Sequence, residues 1–151
     1  MQKGWFAMWG IIIAAISGVL MSIQGVFNTG VMKQTSIWVC ASFVQFTAFL
    51  FCLGAWFVTG REGSFTGLLK IDSKYMLLGG VFGALITYTV IKSVDTLGPA
   101  RANMFIIMAQ LLVAYLIELC GVCGTEKVAF EWQKLIGIGF VLAGIIIFKW
   151  K

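Results

Sequence analysis

Four cysteines and no histidine limit the chemistry open to this chain of 151 residues. Cys120 and Cys123 have the C-x-x-C spacing that serves in zinc sites and in thiol redox pairs. A structural zinc site needs four ligands, often two such pairs or one pair with histidines, and here a single pair stands alone. Cys40 and Cys52 fall within an apolar run, where cysteine behaves as a small hydrophobe. The lack of histidine also removes the usual proton shuttle near neutral pH. No nucleophile, base and orienting group occur together, so the expectation is a protein that is not an enzyme and needs no metal or cofactor.

Uncharged polar residues inside apolar runs offer more. Ser17, Met21, Gln24 and Asn28 recur at helical intervals and share one face, as do Asn103 and Gln110 farther along. Ser42 and Gln45 lie in a second run, Thr87 and Tyr88 in a third. A buried amide in hydrocarbon is costly without a partner, so such side chains must face other helices or a wet cavity. Two roles are open: hydrogen bonds that hold a bundle together, and contacts to a solute. Taken as a set, Gln24, Asn28, Ser42, Gln45, Tyr88, Asn103 and Gln110 are the candidate substrate-binding residues. No acidic or basic residue sits in the middle of an apolar run, which speaks against simple exchange of a proton for a cation. Glu118, at the edge of one run, is expected to pair with a surface lysine; Asp95 and Arg101 lie similarly near an interface.

The elements that would carry these residues are membrane spans. With 60% hydrophobic and 11% charged residues, a chain this short cannot hide its apolar surface in a water-soluble core. A helix crosses the hydrocarbon core with about 20 apolar residues. Five segments are candidates, at 5–27, 37–59, 75–91, 102–117 and 135–148. The last is short, and flanking lysines that snorkel, with Trp150 at the interface, would complete it. Trp5, Trp9, Trp38, Trp56, Tyr75 and Trp132 also fall near segment ends, where their rings suit the headgroup layer. The first run is too long for a signal peptide and is followed by four more, so it reads as a retained helix.

The connections are too small for a separate domain, which leaves one five-helix transmembrane domain over 1–151. The stretch 60–74 holds three glycines, with Phe65, Leu68 and Leu69 placed to lie in the interface. Leu97-Gly98-Pro99 should end one helix and start the next near Ala100. Glu126, Lys127, Glu131 and Lys134 have helical spacing and read as a solvated helical turn. The net charge of +5 comes from basic residues scattered singly at helix ends, which suits lipid headgroups and not nucleic acid.

Those basic residues do not choose a side of the membrane. Five spans place six of them on one face (Lys3, Arg61, Lys70, Lys74, Lys127, Lys134) and five on the other (Lys33, Lys92, Arg101, Lys149, Lys151). Orientation normally follows an excess of Lys and Arg in the cytoplasmic loops, so a near tie removes the instruction. Insertion in both orientations is expected, with two opposed copies pairing into one unit. Glycine and alanine at four-residue spacing, Gly79 to Gly83 and Gly80 to Ala84, together with Gly137, Gly139, Ala143 and Gly144, mark two helices packed against protein.

Ile23-Gln24-Gly25-Val26-Phe27-Asn28, Leu77-Leu78-Gly79-Gly80-Val81-Phe82-Gly83, Leu97-Gly98 followed by Gln110, Glu118 and Gly121, and a glycine-bearing last span together resemble the YdcZ-like five-span family of the drug/metabolite transporter superfamily. The resemblance covers nearly the whole chain and rests on the order and spacing of its motifs. It implies an all-α integral membrane protein whose five helices equal half of a ten-helix inverted-repeat architecture, rebuilt by an antiparallel dimer. It singles out Gln24, Asn28 and Gln110. The carboxylate that marks the first span of the related small multidrug exporters is missing, and with it their proton coupling.

The reading is therefore a secondary transporter of a small neutral, zwitterionic or partly apolar organic solute in a multi-pass protein of the prokaryotic cytoplasmic membrane. Its partners would be lipid, the solute, and a second copy or an oppositely oriented paralogue. A small dual-topology channel would instead give single-channel currents, and a non-transporting accessory subunit would have polar stripes that satisfy one another without a cavity.

Overall fold

The computed structural model describes residues 2–149. Among them there is no strand. Five helices follow in order, α1 (Gln2–Gln34), α2 (Ile37–Val58), α3 (Gly79–Leu97), α4 (Pro99–Cys120) and α5 (Trp132–Lys149), with short 3-10 helices at Phe65–Lys70 and Lys74–Leu78. Trp150 and Lys151, expected as an interfacial anchor and a terminal charge, lie outside the described residues. Four stretches are long and apolar enough to cross a membrane, namely Trp5–Gln34, Ile37–Val58, Lys74–Leu97 and Pro99–Cys120, while Trp132–Phe148 is a shorter apolar helix. The protein is all-helical, with four or five helices able to span.

Local chemistry explains the boundaries. Thr35 and Ser36 alone separate α1 from α2, and so short a link makes neighbouring helices antiparallel. Ser36 caps α2 by accepting a hydrogen bond from the Val39 N–H at 3.3 Å. Gly98, at φ 79°, stops α3 in a conformation that favours glycine, and Pro99 opens α4 at a position where a missing N–H costs nothing. α1 continues to Gln34 instead of stopping near 27, because Lys33 and Gln34 are good helix formers whose side chains reach water beyond the apolar run. At 33 residues it is about 50 Å long against a hydrocarbon core of roughly 30 Å, so it tilts or carries its ends into the headgroups.

The connection between α4 and α5 is not the expected helical turn. Residues 125–131 form neither helix nor strand, and α5 begins only at Trp132. Gly121 adopts a left-handed conformation (φ 63°) and its N–H donates to the Ile117 carbonyl, while the Val128 N–H folds back onto the Glu118 carbonyl at 3.0 Å. Side-chain pairs at helical spacing contribute only about 0.2–0.5 kcal/mol each, too little to override Gly121 and Gly124.

The described chain forms two compact units, one within Met1–Thr96 and one within Leu97–Lys151. In the first, α1, α2 and α3 meet at one end. Its buried residues, Gly25, Asn28, Thr29, Cys40, Ala41, Ile91 and Val94, all lie in the second half of α1, the first turns of α2 and the second half of α3. The Lys33 ammonium and the Asp95 carboxylate close that end at 3.6 Å. The other halves of these helices bury nothing among the described residues. In the second unit, α4 and α5 pack around Tyr115 and Ile138. The Glu131 N–H donates to the Tyr115 hydroxyl at 3.1 Å. Lys134 lies 3.7 Å from Glu118 and 3.9 Å from Glu131, with its ammonium 5.6 Å from the Tyr115 ring centre. Glu118 thus has the lysine partner expected of it.

Candidate functional site

The closed end of the first unit is built from small residues. A Cβ on Gly25 would lie 3.3 Å from Val90 and 3.6 Å from Val94, so glycine there lets α1 reach α3. Across α2, the Cys40 thiol donates to the main-chain carbonyl of Asn28 at 3.2 Å. α2 is tied to α3 where the Gln45 amide donates to Thr87 Oγ1 at 3.2 Å, and that hydroxyl donates in turn to the Gly83 carbonyl at 3.0 Å. Trp38 and Tyr88 stack across the same pair of helices at 4.9 Å between ring centres.

These ties leave a groove of about 580 Å³ along α1 and α2, lined by Gln24, Phe27, Asn28, Val31, Cys40, Phe43, Val44, Thr47, Ala48, Phe51 and Cys52. It follows α2 from Cys40 to Cys52, a rise of about 18 Å centred on the middle of that helix. Its lining contains no charged residue. Thr47 spends its hydroxyl on the Phe43 and Val44 carbonyls, which leaves the two amides as the free polar groups of the wall. A second concavity of about 560 Å³ lies on α1 alone along Ser17, Met21, Gln24 and Asn28, the stripe seen in the sequence, and joins the groove at Gln24, Phe27 and Asn28.

Asn28 stands out in this setting. The residue is only 8% exposed, yet its carboxamide makes no hydrogen bond to any described residue, although it lines both concavities. Gln24, one turn away, is exposed. The other sequence candidates are placed differently. Gln45 and Tyr88 are half-buried and engaged between α2 and α3, Ser42 is exposed outside the groove lining, and Asn103 (half-buried) and Gln110 (exposed) stand on α4 in the second unit. The structure therefore brings Gln24 and Asn28 together in the groove and gives Gln45 and Tyr88 packing partners within the first unit. Sequence reasoning did not single out Cys40 as a positioning group or Phe43 at all; the two are three apart near the start of α2, a helical spacing that could have marked them as facing one neighbour. Among the described residues no cluster of His, Cys, Asp or Glu is arranged to hold a metal ion.

Among known families, residues 9–147 match the one described as "Putative inner membrane exporter, YdcZ". The chain belongs to the YdcZ family. The matched region takes in the groove, both units and nearly all of every helix, so the segments that carry the resemblance in the sequence all fall inside it. A YdcZ-family chain with four or five apolar helices is a multi-pass protein of the cytoplasmic membrane, of a family named for export. No curated protein and no solved structure matched the chain.

Proposed function

We propose that this YdcZ-family protein is a secondary transporter, and not an enzyme, that moves a small organic solute by alternating access within an antiparallel pair of copies. The observation that carries the reading is Asn28, a residue only 8% exposed whose carboxamide makes no hydrogen bond to a described residue and reaches the open space of a groove at the middle of a membrane-spanning helix. A packing subunit would bond such an amide to its neighbours, whereas a carrier keeps it for the solute. The shape of the first unit supports the same reading. It is pinned at one end by Lys33 with Asp95 and by Cys40 with Asn28, and its described residues bury nothing at the other, as a carrier open to one side requires.

In this proposal Gln24 and Asn28 orient the solute through hydrogen bonds. Gln45 and Tyr88 set the spacing of α2 and α3, while Ser42, Asn103 and Gln110 remain proposed contacts on residue type. The two units of one chain act as a single five-helix domain, and a second, inverted copy completes a ten-helix inverted repeat. The four-residue spacing of small residues, Gly79 and Gly83 on α3 and Gly139 and Ala143 on α5, supports close helix contacts of the kind such a copy would make. The inverted partner would be the same chain or an oppositely oriented paralogue.

Purified protein in proteoliposomes tests this by counterflow with a panel of labelled amides and amino acids, against protein-free liposomes. Saturable entry accelerated by solute on the opposite side is expected. Single-channel currents in a planar bilayer would replace the carrier with a channel.

A further inference from the structure

The chemistry of the α1–α2 groove narrows what it can hold. Three phenylalanine rings, Phe27, Phe43 and Phe51, line it and are largely uncovered in the chain. No Asp, Glu, Lys or Arg is among its lining residues, and the charged pair of the first unit, Lys33 with Asp95, is satisfied beyond its end. A solute with a net charge, or a zwitterion, would lose its hydration on entry and meet no counter-charge. An acyl chain of bilayer lipid fits the apolar wall but has nothing to offer Asn28. The carboxamide presents two N–H donors and a carbonyl acceptor, and its best complement is a group that has both, as another amide does.

We propose that the groove takes an uncharged solute with an aromatic body and an amide-like head, the body lying along Phe43 and Phe51 and the head paired with Asn28, with Gln24 at its flank. This deepens, and rests on, the carrier reading. The thiol of Cys40, by bonding the Asn28 main-chain carbonyl, holds the α1 turn that presents the amide, so Cys40 acts as a positioning residue. Aromatic rings stack on uncovered phenylalanine faces in offset or edge geometry, which favours an aromatic body over an aliphatic one of equal area.

Indole-3-acetamide, indole-3-acetate and tryptamine share one body and differ in the charge of the head, so they separate the terms. Binding to the purified protein in nanodiscs is measured by equilibrium dialysis with wild type and Asn28→Leu. Wild type should bind the amide saturably and both charged analogues at least tenfold more weakly. Asn28→Leu should lose about threefold to tenfold in affinity for the amide, the range of one hydrogen bond, with its size-exclusion profile unchanged. Equal binding of the three compounds by wild type, or no binding of any, overturns the proposal without reference to the variant. So does an Asn28→Leu protein that binds as wild type does, or one that falls from dimer to monomer, since the amide would then serve the second copy. The two layers fail separately. Asn28-dependent binding without counterflow refutes carriage and leaves the ligand class standing, whereas counterflow indifferent to charge and to Asn28 does the reverse.

Discussion

Two amides of the same stripe-and-span origin have opposite fates in this fold. Gln45 is paired with Thr87, and Asn28 is paired with no described residue, although the sequence presents both as the same kind of residue. That difference was not legible beforehand, because a helical period fixes which residues share a face but not which neighbour meets that face. It makes two forecasts at this scale. Gln45→Leu and Thr87→Val should each lower thermal stability slightly, and their double-mutant cycle should return a coupling of about 0.6 kcal/mol, the average for hydrogen bonds between membrane helices. Gln110→Leu, which alters an exposed amide without a hydrogen bond to the described chain, should leave unfolding unchanged while reducing solute flux several-fold; normal flux in that variant would remove Gln110 from the proposed contacts.

Helix ends and close approaches belong to the next scale, and there the sequence was most readable. Gly98-Pro99 marked the break between α3 and α4 because each residue has one conformational reason to be there. The irregular 125–131 segment departs from the helical turn that its charge spacing suggested, because Gly121 and Gly124, both at positive φ, turn the chain just before it. Gly121 is the clearest test. A methyl group there would combine an unfavourable left-handed φ with a contact of 2.8 Å to Lys127 Cβ, and neighbouring main-chain atoms leave no room to shift. Gly121→Ala is expected to destabilise the second unit by about 1 kcal/mol or more, seen as a lower midpoint in thermal unfolding. Gly25→Leu should be worse for the first unit, since its side chain would enter Val90 and Val94 and force α1 from α3. The expected sign is an early loss of the Trp38–Tyr88 contact, followed by tryptophan fluorescence. A Gly25→Leu protein as stable as wild type would mean that α1 and α3 are free to separate.

At the scale of the whole molecule, membrane residence and an all-helical fold followed from composition, and family membership from the order of short motifs. The proposed inverted pairing has a different basis, the division of eleven basic residues into six and five over the two faces. Side-chain contacts within one chain carry no record of which way up that chain inserts, so the reading of orientation rests on this tie. The proposed working unit stands or falls on both orientations coexisting. The direct measurement is labelling of a single cysteine appended after Lys151, which keeps all eleven basic residues, in an otherwise cysteine-free protein at native expression in inner-membrane vesicles, with a membrane-impermeant maleimide applied from each side. Two opposed copies of one chain predict substantial labelling from both sides. Labelling from one side alone would contradict the homodimer and leave an oppositely oriented paralogue as its required partner.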